Sequence, residues 1–170
     1  MTMRGAPPGA RSPLYTAEQR QRRDASGWTL VQGLLAPLQF TVFAVSLVLV
    51  LRYLGTGQGL AIATASVVVK TLVLYLIMAT GALWEKVVFG RYLFAPAFFW
   101  EDVFSMLVLA LHTAYLLALA TDSLTPRGRM ALALAAYAAY LINATQFVLK
   151  LRAARLQGPG PAPSGRELAA

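Results

Sequence analysis

Residues 81 to 104 read GALWEKVVFGRYLFAPAFFWEDVF, and they gather three of the chain's seven carboxylates, Glu85, Glu101 and Asp102. The same stretch carries the cations Lys86 and Arg91 and eight of the eighteen aromatic residues. Carboxyl groups crowded together among aromatics, at an interface of intermediate dielectric, form a setting in which one of them keeps its proton. Such a group acts as a general acid, and a neighbouring carboxylate orients it or a water molecule. A structural reading stands beside this one, because acids favour the first turn of a helix through its dipole. It covers Glu101 and Asp102, but it leaves Glu85 and the density of aromatics unexplained.

Further polar residues lie inside long apolar runs. Lys70 and His112 fall about mid-way along two of these runs, where an ionisable group costs about 2.5–3.5 kcal/mol on insertion scales and marks a functional position by default. Glu101, Ser105 and His112, spaced by four and seven, share one helix face. Gln32, Gln39 and Ser46 form a second stripe, and Tyr140, Asn143, Gln146 and Lys150 a third. If these stripes face inward, they predict a polar-lined cavity open toward the carboxylates. The competing reading of Gln39, Asn143 and Gln146 is plain helix-to-helix hydrogen bonding. Lys70 equally suits snorkelling or a structural ion pair, and His112, the single histidine, equally suits packing. Trp28, Trp84 and Trp100 fall at segment ends, the place of interfacial anchors.

Several chemistries are excluded. With no cysteine there is no disulfide, thiolate metal site or cysteine nucleophile. One histidine with a few acids does not make a dedicated metal site, and no glycine-rich phosphate loop is present. The net charge of +8 is concentrated at the tails and does not run along one face, which argues against nucleic acid as a partner.

The elements that must position these residues are long and apolar. The 170-residue chain is 58% hydrophobic, only 13% charged and has a mean hydropathy of +0.59, the signature of an integral membrane protein. Four segments, at about 28–54, 60–84, 100–120 and 130–149, are long enough to cross a hydrocarbon core of about 30 Å. The first is expected to kink or restart at Pro37. Residues 1–13 and 158–170 read as solvated, low-complexity tails around a single membrane domain at 14–157. Thr16 and Gln19 predict a capping box that opens a short basic amphipathic helix on the membrane surface. The fold class is therefore all-α, a four-transmembrane-helix bundle. Eleven Lys and Arg on the side of the termini and the 85–99 connection, against three in the other loops, predict that both termini are cytoplasmic.

Four stretches together resemble a known family. YTAEQRQRRDASGWTLVQGLLAPLQF, GALWEKVVFGRYLFAPAFFWEDVFS, ALHTAYL and INATQFVLKLRAARLQ are similar to the 2-vinyl bacteriochlorophyllide hydratases, also called chlorophyllide a 3-vinyl hydratases. The resemblance runs from about Leu14 to Gln157. It implies a hydro-lyase of bacteriochlorophyll biosynthesis that converts the C3 vinyl group of a chlorin to 1-hydroxyethyl, in the inner membrane of a phototrophic bacterium. No cofactor is implied, since the pigment brings its own magnesium, and neighbouring pigment enzymes are expected partners.

With that substrate in view, the expected catalytic residues are Glu85 or Glu101 as acid, Asp102 as its partner, and His112 as axial magnesium ligand or second proton carrier. Phe89, Tyr92, Phe94, Phe98, Phe99 and Trp100 are expected to stack on the macrocycle. Lys70, Gln39, Asn143 and Gln146 are expected to complete the substrate site. Two competing classes remain on the residues alone: a non-catalytic subunit for pigment delivery or complex assembly, and a small proton or ion pathway.

Overall fold

The computed structural model describes residues 14–156, so the predicted tails at 1–13 and 158–170 lie outside the described residues. Within them the chain forms five helices: α1 (Ala17–Ala25), α2 (Gly27–Thr56), α3 (Leu60–Phe89), α4 (Phe99–Ala120) and α5 (Pro126–Leu156). The last four are long and apolar enough to cross a membrane, with mean hydropathies between 1.5 and 2.3 over their most apolar windows.

Local sequence sets the ends. The Thr16 hydroxyl accepts from Gln19 N at 3.2 Å while the Gln19 side chain accepts from Thr16 N at 3.0 Å, the reciprocal box expected for α1. Ser26 then caps α2 by accepting from Trp28 N. At the other end of α3 the chain stops at Gly90, whose φ of 81° places it in the left-handed region that glycine tolerates best. Pro126 opens α5 at a position where its missing N–H goes unneeded.

Two expectations are sharpened. Of the two alternatives at Pro37, a fresh start is ruled out: helix α2 runs through it, and Thr41 Oγ1 donates to the Pro37 carbonyl at 2.9 Å. Pro37 has no N–H for the Gly33 carbonyl one turn earlier, and a packed membrane helix tolerates the loss of that single ladder bond. The helices also outrun the predicted spans: α3 continues past residue 84 to Phe89, and α5 extends from Pro126 to Leu156. Hydropathy marks the part that crosses lipid, whereas the hydrogen-bond ladder continues until a residue such as Gly90 breaks it.

α2 pairs with α3 and α4 with α5, making two helical hairpins that pack against each other, and α1 lies against α3. Both hairpin turns stand at one end of the bundle; the 90–98 connection stands at the other, where α1 also sits. Phe43, Val50, Val67, Leu74, Tyr115 and Tyr137 fill the centre. Leu30, Leu34 and Val48 are each about two-thirds exposed on the outside, where lipid removes any penalty for apolar exposure.

Candidate active site

The carboxylates converge at the 90–98 end. Glu85 lies near the end of α3, and Asp102 and Glu101 in the first turn of α4; all three are buried. The connection folds back over them. Asp102 Oδ2 accepts from Phe94 N at 2.7 Å and Glu85 Oε2 accepts from Ala95 N at 3.3 Å, so two consecutive backbone amides serve carboxyls from two helices. Phe94 takes a φ of 58°, rare for a bulky residue, and this left-handed step is part of what turns both N–H groups the same way. The Glu85 and Asp102 carboxyls lie close enough to interact with each other. Glu101 stands apart from that pair and binds Lys150 of α5 at 2.5 Å.

The aromatic residues divide into two layers. Phe98 is 2% exposed and packs in an inner layer with Phe89, Tyr15, Trp84 and Phe147. Tyr15 stacks on Phe89 at 5.8 Å and carries the Arg23 guanidinium 4.8 Å from its ring centroid; burial pushes its hydroxyl above the ordinary value, against the pull of that cation. Tyr92, Phe94, Phe99 and Trp100 are exposed on the outer side, with Phe99 stepping from Phe94 at 5.8 Å to Trp100 at 5.6 Å. The six aromatics expected to stack on the macrocycle thus divide between a buried inner layer and an exposed outer one. Trp84 faces inward too: its indole donates to Thr29 Oγ1 at 3.0 Å and its ring meets Phe89 and Phe98 edge-on.

The mid-bundle polar residues form a second cluster with a different character. Lys70 and His112 are fully buried and Gln39 is 2% exposed, so the polar-lined cavity predicted to open toward the carboxylates is packed shut. Phe43, Tyr137 and Tyr140 fill that space; Phe43 lies 5.4 Å from Tyr137 and 4.9 Å from Tyr140. Lys70 Nζ sits 4.1 Å over the Tyr140 ring and has no hydrogen-bond partner. His112 Nδ1 bonds the Val108 carbonyl at 2.8 Å, which assigns the proton to Nδ1 and leaves Nε2 a buried acceptor without a donor. Both polar atoms of the Gln39 amide and the Gln146 carbonyl oxygen are unpartnered as well. Asn143 bridges to Ser105 at 2.8 Å, and Ser46 bonds Ser66 and Tyr137 at 2.7 and 2.5 Å.

Tyr15, Trp84, Phe147 and Lys150 were missing from the expected site. Lys150 already continued the Tyr140–Asn143–Gln146 stripe, so spacing pointed to it; Tyr15 and Phe147 carried no signal beyond their place in the quoted stretches. Among the described residues no group of three His, Asp or Glu is arranged to hold a metal ion.

Fold and site together define a multi-pass helical membrane protein with a buried carboxyl cluster at one end, floored by one aromatic layer and flanked by another. The chain belongs to the 2-vinyl bacteriochlorophyllide hydratase family, whose model matches residues 15–153. It is 71% identical over 144 residues to the 2-vinyl bacteriochlorophyllide hydratase of Cereibacter sphaeroides, covering 84% of this chain and 89% of that protein. It is 66% identical over 148 residues to the enzyme of the same name from Rhodobacter capsulatus, covering 87% and 86%. No solved structure matches the chain.

Proposed function

We propose that the protein is a hydro-lyase that adds water across the vinyl group of a bacteriochlorophyllide-type chlorin, giving the hydroxyethyl pigment in bacteriochlorophyll biosynthesis. Membership of a hydratase family over most of the chain supports the reaction. One observation carries the mechanism: Glu85 and Asp102 are brought together from two helices, over an aromatic floor, by the amides of Phe94 and Ala95.

Hydration needs a proton on the terminal vinyl carbon. The resulting cation on the adjacent carbon is stabilised by conjugation with the macrocycle, and water adds there and loses a proton. Two adjacent carboxyls supply both ends of this sequence, since like charges side by side resist joint ionisation. The shorter amide hydrogen bond favours the charged form at Asp102, which leaves the proton on Glu85. Glu85 therefore protonates the vinyl carbon, and Asp102 receives the proton from the incoming water. Glu101, engaged by Lys150, holds the α4–α5 contact beside the pair. Phe94, Phe99 and Trp100 offer the exposed faces on which a flat pigment stacks, with Tyr92 at the margin; Phe89 and Phe98 support them from beneath.

The mid-bundle residues enter this reading differently. A magnesium-ligand role for His112 needs a packed interior to open, so His112, Lys70, Gln39, Asn143 and Gln146 are assigned to the bundle's internal framework. No cofactor is invoked, because the pigment carries its own magnesium. The distribution of Lys and Arg supports both termini on the cytoplasmic face of a bacterial inner membrane, with α1 on the membrane surface and neighbouring pigment enzymes within reach.

The test is expression in a host that makes the vinyl pigment. The expected product is heavier by one water and blue-shifted by loss of vinyl conjugation. Protein present in membranes without that product overturns the hydratase reading, and pigment binding without conversion favours a delivery subunit.

A further inference from the structure

We propose that Lys150 is the recognition point for the free carboxylate of the pigment, so that the protein selects the unesterified acid over its esters. The proposal rests on the hydratase reading for the identity of the ligand. A bacteriochlorophyllide is the form of the pigment whose propionate side chain is a free acid, and a carboxylate brought to a membrane interface needs a cation.

Among the described residues, Lys150 is the cation that touches both the carboxyl cluster and the aromatic floor. Its Nζ binds Glu101 Oε2 at 2.5 Å and lies 4.9 Å from the Phe98 ring centroid. Arg91 on the connection and Arg152 on α5 form no ion pair with Glu85, Glu101 or Asp102 among the described residues, and other cations have partners elsewhere. Lys86 donates to the Gly90 carbonyl and sits over Tyr92, while Arg23 pairs with Asp24 and covers Tyr15. Arg129 is tied to Asp122 near the turn at the opposite end, and Lys70 is sealed inside the bundle.

Lys150 also has capacity to spare. An ammonium group has three donors, and Glu101 uses one. The Lys150 side chain keeps 26% of its surface exposed while Glu101 keeps 9%, so the cation forms the open side of the ion pair and the carboxylate the closed side. A pigment carboxylate that reaches this open side can bind Lys150 without breaking the Glu101 contact. Lys150 then bridges the two carboxylates, and its fixed position orients the ring relative to Glu85 and Asp102.

The experiment compares the vinyl pigment as free acid and as methyl ester on the full chain in detergent micelles. Binding is read by quenching of tryptophan fluorescence and hydration by the product absorption. Wild type is expected to bind the free acid at least about tenfold more tightly than the ester, the weight of one charge-assisted hydrogen bond. Lys150→Met is expected to bind both forms as weakly as wild type binds the ester, and Lys150→Arg to keep the preference. No preference in wild type, or a full preference in Lys150→Met, overturns the proposal. If Lys150→Met binds neither pigment, Lys150→Arg decides: a retained preference supports the clamp and a lost one overturns it. A preference for the acid without hydration of either form would overturn the hydratase reading and leave the clamp standing.

Discussion

The carboxyl cluster between α3 and α4 and the polar cluster at mid-bundle are both buried and both built from several helices, yet they treat polar groups in opposite ways. At the first, Asp102 and Glu85 meet backbone donors from a connection bent for the purpose, and Glu101 meets Lys150. At the second, Lys70 Nζ, His112 Nε2 and the Gln39 amide have no hydrogen-bond partner, and an aromatic face is the nearest compensation for Lys70. A satisfied network holds side chains in one geometry, which proton transfer requires. An unsatisfied one costs stability and positions little. The proposed chemistry accordingly sits with the satisfied network at the end of the bundle, although a charge at mid-membrane is the louder sequence signal.

The sharpest way to break that comparison is by rate. Glu85→Gln and Asp102→Asn are expected to lower hydration about 10²- to 10⁴-fold, the usual weight of a positioned acid or base. Formation of hydroxyethyl pigment per unit of membrane protein measures the loss. Near-wild-type rates in both variants, with a collapse in His112→Gln, would invert the assignment.

Stability sharpens the other side. Lys70→Met removes a buried cation whose insertion cost is about 2.5–3.5 kcal/mol. The Tyr140 contact returns about 1–2 kcal/mol of that. The variant is expected to be about 1–2 kcal/mol more stable in micelles by thermal unfolding, and a loss would reveal a partner for Lys70. Gly90→Ala is expected to lose about 1–2 kcal/mol, because a Cβ is strained at a φ of 81°. It should also lower the hydration rate, since Gly90 begins the connection that cradles the carboxyls. The smallest effect is expected for Tyr137→Phe, which loses the hydroxyl contact to Ser46. About 0.6 kcal/mol is the average for such bonds between membrane helices, and a much larger loss would show that the mid-bundle cluster is better satisfied than its geometry indicates.

Much of this was legible in the residues. The long apolar runs announced four spans, because lipid admits only segments that satisfy their own backbone. Thr16 and Gln19 announced the start of α1, since a cap depends on residues three apart. Span ends were less legible: the helical ladder ignores hydropathy, so α3 carries Glu85 beyond the predicted limit inside an unbroken helix. At Pro37 the residues left a kink and a fresh start both open, and the helix runs on because one lost hydrogen bond is too small a penalty to end a packed helix.

Residue types and spacing by themselves determined that this is a helical membrane protein whose acids and aromatics concentrate around residues 81–104, because hydrophobic length and composition are properties of the chain alone. They could not say which acid meets which partner. Pairing Glu85 with Asp102 and Glu101 with Lys150 depends on how α3, α4 and α5 are rotated against one another. The inner and outer aromatic layers and the sealed environment of Lys70 depend on the same packing. The Glu101–Lys150 contact exists only once α4 and α5 fold back on each other, and the meeting of Glu85 with Asp102 only once the two hairpins dock, so the tertiary structure alone decided them.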